Sequence, residues 1–376
     1  MLGFIGQYPM AGVTAYFLQY ALGLLRLGHD VFYIEDSGAC PYDPIGDSIS
    51  MDVSYSLAYI KRHLEPFGFA DRWTYADYES RYTGMSRERT HEVLRTSDLL
   101  INVSAANILR EEHLRVPKRI LIDADPPYLQ IAAAKGEQET IDFLKQHTTL
   151  FTYAENIGKP NCRIPADGFV WQTSRQPVVL DLWRYTYKPD AVALTTIMNW
   201  KSYANAEYEG EVYGQKDVEF MKFAALPQHT TQVLDLGMGH PDAPRDELRA
   251  LGWRLHDPFP PTRDLWTYQA YLAESRGEFS VAKNAYVRPW SGWFSERETC
   301  YMATGKPVIV QDTGFSEWLP VGEGVLAFNT LEEARDAIER MNADYERHCK
   351  AARRLAEQYF ASDHVLRDLL RKAGCG

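Results

Sequence analysis

Short apolar, β-branched runs alternate with stretches of helical period along almost the whole chain, and one long proline-bearing stretch interrupts them. No other feature limits the fold as sharply. Strands joined through helices pair in parallel by right-handed crossovers. The product is a doubly wound α/β sheet with a crevice at the C-terminal ends of its strands. In the first half, strands are predicted at 2–5, 31–34, 99–103, 119–122 and 150–153, with helices at 13–27, 54–64 and 137–146. The 13–27 segment carries Phe17, Tyr20, Ala21, Leu24 and Leu25 on one stripe and stops at Gly28. Residues 158–190 have no period and carry Pro160, Pro165, Pro177 and Pro189, which places the inter-domain connection within 176–190. In the second half, strands are predicted at 191–198, 231–236, 253–256, 279–282, 308–310 and 325–328. Helices fall at 217–225, 245–251, 264–275, 295–304, 331–342, 345–360 and 363–373. Two consecutive doubly wound, Rossmann-like domains follow, 1–180 and 181–362, with a ligand cleft between them.

The composition excludes several classes. At about 150 residues per domain, 376 residues make two or three domains. The chain has 51 acidic and 40 basic side chains, a net charge of -11, and no basic run, so nucleic acid is not an expected partner. Cys40, Cys162, Cys300, Cys349 and Cys375 are odd in number and widely spaced, which fits a reducing cytoplasm rather than a disulfide framework or a metal knuckle. No stretch approaches the ~18 apolar residues of a membrane span. The opening residues 1–6 are too short for a signal h-region.

The strongest local signal is the segment 291–310, Ser-Gly-Trp-Phe-Ser-Glu-Arg-Glu-Thr-Cys-Tyr-Met-Ala-Thr-Gly-Lys-Pro-Val-Ile-Val. Ser295 with Glu298 forms a capping box, Gly305 stops the helix and Pro307 leads into a strand. The helix N-terminus suits a phosphate, Gly292 permits close backbone approach, and Lys283, Arg288 and Arg297 lie nearby in sequence. The competing assignment makes Glu298 a cap and the basic residues solvated. Lys201, after the strand at 191–198, and Lys216, opening the next helix, are further candidates for a pyrophosphate.

From this segment on, the sequence resembles the nucleotide-sugar glycosyltransferases of the GT-B fold. The resemblance rests on Met302 to Val310, on Asp312-Thr-Gly-Phe-Ser-Glu317, on Val321-Gly-Glu-Gly324, and on Leu24-Leu-Arg-Leu-Gly-His-Asp-Val31 near the start. It covers nearly all of the chain in the order of its elements. Cys300 stands five residues before Gly305, where retaining members often carry a glutamate, and Glu296 and Glu298 are the nearest carboxylates. The choice between retaining and inverting transfer therefore stays open.

The resemblance implies a nucleotide-diphosphate sugar bound by the C-terminal domain through Lys201, Lys216, Lys283, Arg288, Ser291, Gly292, Trp293, Ser295, Glu296, Arg297, Glu298, Asp312, Thr313 and Gly314. It implies a small soluble acceptor, a secondary metabolite or a saccharide, bound by the N-terminal domain through Gly6, Gln7, Tyr8, Met10, Gly12, Glu155 and Asn156. It also implies a C-terminal helix, 363–376, packing back on that domain. Asp125 or Asp123 at a strand end is the candidate base; the alternative is that they order a turn. His29, at the opposite end from the crevice, is structural. No cofactor and no metal are required, because protein groups can neutralise the diphosphate, and a monomer or homodimer is expected. Two rivals remain. Val233-Leu-Asp-Leu-Gly-Met-Gly239, with Asp257 beyond, resembles the first motif of S-adenosylmethionine methyltransferases, although His240-Pro241 interrupts it. The other is a non-catalytic sugar-nucleotide-binding protein.

Overall fold

The computed structural model describes residues 1–166 and 168–375; Gly376, the end of the expected 363–376 helix, lies outside them. Each half is built on one mostly parallel sheet. In the N-terminal half the order is Tyr82–Gly84, Trp73–Ala76, Tyr33–Glu35, Leu2, Leu99–Val103, Lys118–Asp123, Thr149–Thr152 and Trp171–Thr173. Only Tyr82–Gly84 runs antiparallel to its neighbour. In the C-terminal half the order is Arg254–His256, Val233–Gly239, Ala193–Asn199, Gly277–Ser280, Val308–Gln311 and Val325–Phe328, all parallel. Numbered along the chain, the parallel strands of the C-terminal half follow the order 3-2-1-4-5-6 of a doubly wound sheet, and those of the N-terminal half follow the same order with Trp171–Thr173 added as a seventh at the edge.

The first strand contracts from the expected 2–5 to a bridge at Leu2, paired with Ile34 on one side and Asn102 on the other. Side chains of its neighbour take the next donors. The Tyr33 hydroxyl accepts the Ile5 N–H at 2.9 Å, and the Glu35 carboxylate accepts the Gly6 N–H at 2.7 and 2.9 Å. The backbone groups are satisfied without a ladder.

Helix Ala11–Arg26 is buried along most of its length and carries Phe17, Tyr20, Ala21 and Leu24 into the core. The last helix, Ser362–Lys372, lies on it closely enough that a Cβ on Gly23 would sit 2.5 Å from Leu366 Cδ1. The break between Tyr345–Phe360 and Ser362–Lys372 falls at Ala361, which bridges to Val178; the Ser362 N–H reaches the Val178 carbonyl at 2.9 Å. Phe294, Tyr301 and Phe315 of the C-terminal half share an apolar core with Phe17, Tyr20 and Phe360, so the two halves are welded by hydrophobic burial on this side. Among the described residues no helix is long and apolar enough to cross a membrane.

Candidate active site

Chain order reverses between the neighbouring strands Ala193–Asn199 and Gly277–Ser280, and ligands of such sheets bind outside the strand ends at that point. A cluster of ionisable groups occupies it. Glu278 is fully buried on the second strand and accepts from the Thr196 hydroxyl at 3.1 Å and from Arg297 Nε. Arg297, in the first turn of helix Glu296–Ala303, also donates to Ser280 Oγ at 2.8 Å and lies 3.7 Å from Glu298. Lys216, at the start of helix Lys216–Phe220, enters the same cluster. Burial, with the Arg297 charge next, pulls its ammonium down to about 7. The Glu298 and Glu278 charges oppose that shift. Burial pushes the Glu298 carboxyl up to about 7 and Glu278 upward as well, although Arg297 opposes both shifts.

Opposite the cluster stands Asp125, beyond the strand Lys118–Asp123. Lys283 Nζ, on the loop after Gly277–Ser280, lies 2.9 and 3.1 Å from its two carboxylate oxygens, and the Tyr286 hydroxyl donates to the same carboxylate. Trp293 Nε1 donates to the Ala124 carbonyl at 2.9 Å and its ring stacks on Tyr286 at 4.1 Å. Tyr203 donates its face to the Lys283 ammonium at 4.2 Å and packs edge-on against Tyr128, whose hydroxyl accepts from Gln215 Nε2 at 2.6 Å. Lys283 is thus framed by the Tyr203 and Tyr286 rings of its own half, with Tyr128 of the other half behind Tyr203. Asp123 has a different environment. It is 3% exposed and accepts from Gln130 Nε2 at 2.6 Å and the Thr152 hydroxyl at 2.9 Å, and burial raises its carboxyl to about 6. Asp123 orders the strand end, while Asp125 faces the cleft.

Several sequence candidates hold the two halves together. Asn156 is fully buried; its N–H donates to the Ser291 carbonyl at 3.0 Å and its Nδ2 to the Trp290 and Gly314 carbonyls at 3.2 and 3.0 Å. Gly292, at φ 74°, is needed for this contact rather than for phosphate, because a Cβ there would lie 2.8 Å from Asn156 Cγ. Ser291 Oγ donates to the Tyr286 carbonyl, Thr313 bonds the Trp293 carbonyl, and Asp312 accepts the Gly314 N–H at 2.8 Å, all ordering the same turn. The capping box forms as expected: Ser295 Oγ accepts the Arg297 N–H at 3.2 Å and Glu298 accepts the Ser295 N–H at 2.8 Å. Those cap bonds occupy donors that the sequence assigned to a phosphate. Among the described residues the Glu296 carboxylate has one long hydrogen-bond contact, accepting from Ser295 Oγ at 3.5 Å.

Two expected phosphate groups point elsewhere. Arg288 pairs with Glu211 and bonds the Val212 carbonyl, tying down the hairpin Ala206–Tyr208 and Glu211–Tyr213. Lys201 lies 3.6 Å from Asp217 and 4.0 Å from Asp242 on the rim. On the N-terminal side the Gly6 and Gln7 amides converge on Glu35, with Gln7 at 3.1 Å. Burial raises Glu35 to about 7. Met10 precedes the first turn of helix Ala11–Arg26, a Cβ on Gly12 within it would meet no side chain within 4 Å, and Tyr8 is exposed. Glu155 pairs with Arg175 at 2.6 Å. Glu35, Glu278, Tyr128, Tyr203, Gln215 and Tyr286 belong to the cleft framework and were not candidates from the sequence. The one available hint was the spacing of Lys283 and Tyr286 across a helical turn.

No family model and no curated protein matches the sequence. Solved structures do. An α-glucosyltransferase in complex with UDP and a 13-mer DNA containing a HMU base gives a TM-score of 0.54 at 11% identity, over 99% of this chain and 98% of that chain. Sucrose-phosphate synthase from Thermosynechococcus elongatus gives 0.53 at 15% identity, over 95% and 92%. HepE from Anabaena in complex with UDP-glucose gives 0.50 at 13% identity, over 96% and 96%. The chain has the GT-B fold.

Within this GT-B fold the methyltransferase-like motif has no loop to offer. All seven residues Val233–Gly239 lie in one strand, paired in register with Ala193–Asn199. A Cβ on Gly237 would lie 2.9 Å from His256, so that glycine serves sheet packing rather than a cofactor turn.

Proposed function

We propose that the protein transfers a sugar from a nucleoside-diphosphate sugar to a hydroxyl of an acceptor bound on the N-terminal side of the cleft. The observation that carries this is the placement of Lys216, Lys283 and Arg297 together at the switch point of the C-terminal sheet, facing Asp125. GT-B neighbours solved with UDP or UDP-glucose support a sugar nucleotide as the ligand.

The reaction breaks the bond between the anomeric carbon and the β-phosphate oxygen, and the bonding pair leaves with the diphosphate. Lys216 and Arg297, already desolvated, would stabilise that developing charge without reorganising. Lys283 would join them by exchanging its carboxylate partner for phosphate, and protein cations alone would suffice without a metal. That exchange leaves Asp125 to take the proton of the acceptor hydroxyl as the new carbon–oxygen bond forms. Glu296 remains for sugar hydroxyls.

The test is diphosphate release from UDP-, GDP-, TDP- and ADP-glucose in the presence of hydroxyl acceptors. Release from one of them, lost in Arg297→Ala, supports transfer. Tight binding without release would mark a non-catalytic binder. No release or binding with any of them, alongside binding of S-adenosylmethionine, would replace this function with methyl transfer.

A further inference from the structure

Lys283 is clamped on both sides of its own position in the chain. The Ala282 N–H donates to Gln311 Oε1 at 3.2 Å, and Asn284 Nδ2 donates to Glu219 Oε1 at 2.7 Å. Gln311 Nε2 donates to the other oxygen of the same Glu219 carboxylate at 2.6 Å. One carboxylate thus holds the residue before Lys283 through Gln311 and the residue after it directly. Glu219 is 1% exposed, and Lys222, three residues on, lies 2.8 Å from both of its oxygens and supplies the counter-charge. Helix Lys216–Phe220 carries Glu219 itself, and Asn284 Oδ1 accepts the Gly214 N–H, just before that helix, at 3.0 Å. Three segments of the C-terminal half therefore meet on Glu219: this helix, the loop after Gly277–Ser280, and the end of strand Val308–Gln311.

The network demands a carboxylate. Both amides are oriented by backbone donors at their other ends, Gln311 Oε1 by Ala282 and Asn284 Oδ1 by Gly214. Each turns its NH2 to Glu219, which must accept on both oxygens. A glutamine there would set its own NH2 against one of the two amides. Turning that amide over would leave the buried Ala282 or Gly214 N–H without its acceptor. A lysine side chain has a long flexible stem, so a fixed backbone is what lets its ammonium exchange a carboxylate for a phosphate without a search.

Resting on the donor site proposed above, we infer that Glu219 is a positioning residue for it: through Gln311 and Asn284, Glu219 holds the Lys283 ammonium at the place where it now meets Asp125 and where it would meet the diphosphate. The Glu219 oxygens are filled by Lys222, Asn284 and Gln311, so the residue acts through Lys283 and not on the substrate.

The experiment is a double-mutant cycle on donor binding. UDP, GDP, TDP and ADP are titrated by calorimetry into the wild type, Glu219→Gln, Lys283→Met and the double variant, and a melting temperature is measured on each. Affinity for the diphosphate that binds the wild type is expected to fall about five-fold or more in Glu219→Gln, and about two-fold or less when the same change is made in Lys283→Met. Gln311→Met keeps the side-chain length and releases Ala282. It runs through the same cycle, decides the matter if Glu219→Gln does not fold, and is expected to show the same non-additivity. Unchanged affinity in folded Glu219→Gln or Gln311→Met, or an equal loss with and without Lys283, overturns the inference by leaving Glu219 a stabiliser of the domain only. The wild-type arm separates the two claims. Absence of binding by all four diphosphates sinks the donor site and this inference with it, whereas diphosphate binding indifferent to Glu219 and Gln311 sinks the positioning role alone.

Discussion

Lys283 donates to both carboxylate oxygens of Asp125, at 2.9 and 3.1 Å, and so joins the loop after a C-terminal strand to the end of an N-terminal one. The pair sits at the cleft, with Asp125 36% exposed and Lys283 12%. Lys283 is largely buried beside a half-open carboxylate, so a bound diphosphate competes with Asp125 for the lysine, and drawing it away uncovers the carboxylate.

That exchange separates the two partners experimentally. Asp125→Asn is expected to lose about 10²–10⁴-fold in turnover, with donor affinity unchanged or improved and the melting temperature within a few degrees. Lys283→Met is expected to weaken donor binding by about ten-fold or more, the loss of one charge-assisted bond. Calorimetric donor titration with single-turnover rates checks both. Full turnover in Asp125→Asn would move the base elsewhere.

Lys216 gives the donor site a pH dependence. Folding lowers its ammonium to about 7, far below the ordinary lysine value near 10.4, so the folded protein holds fewer protons than the unfolded chain between those limits. Stability through this group rises with pH across that window. Donor affinity follows the opposite course, because only the protonated amine attracts phosphate. UDP-glucose, whose phosphates do not titrate there, is expected to bind progressively more weakly from pH 7 to pH 9. Lys216→Met should bind it weakly and without that slope.

Two glycines from the sequence reading part company. Gly292→Ala forces a Cβ into Asn156 at a backbone φ of 74° and is expected to cost about 2 kcal/mol or more in denaturant unfolding. Gly12→Ala places its methyl in open space within a helix and is expected to be neutral or to gain up to ~1 kcal/mol. Activity lost in the stable Gly12 variant alone would show that the acceptor contacts that turn.

His63 bridges the halves on the far side. Its Nε2 accepts the Leu265 N–H at 3.2 Å, its Nδ1 lies 2.8 Å from the Tyr59 carbonyl, and its ring stacks on Trp266. Burial lowers its pKa to about 4, Arg62 lowers it further, and the Tyr59 carbonyl and Asp264 oppose them. The unfolded chain therefore takes up this proton first as pH falls. Stability from His63 is complete above about 6.5 and is lost toward pH 4, by up to ~3 kcal/mol. Urea unfolding of wild type and His63→Leu at pH 4, 5 and 6.5 should show a larger loss in the wild type, since His147, also lowered to about 4 by burial, titrates in both.

The strands and helices of the second half were legible because its inner strands are buried and β-branched, as in Ala193–Asn199 and Val308–Gln311. The first half concealed more. Trp73–Ala76 is buried on both faces but reads only Trp-Thr-Tyr-Ala, and helix Arg87–Thr96 buries just Thr90, Val93 and Leu94 within a polar sequence. Tertiary contacts, not local pattern, set those elements. In the cleft, Lys283, Arg297 and Asp125 were visible as residue types beside strand ends. Which of them meet was not, because Asp125 and Lys283 are 158 residues apart in sequence. For the same reason Asn156 and Gly292 read as ligand groups, although Asn156 bonds the Trp290, Ser291 and Gly314 carbonyls and packs against Gly292.

Titration of UDP into the wild-type protein and into Arg297→Ala and Lys216→Met, with GDP, TDP, ADP and S-adenosylmethionine alongside, measures the central claim most directly. One nucleoside diphosphate should bind the wild type and lose about ten-fold or more in each variant, while S-adenosylmethionine gives no heat. Binding of S-adenosylmethionine with no diphosphate bound at millimolar concentration, or a diphosphate affinity indifferent to both substitutions, would contradict it.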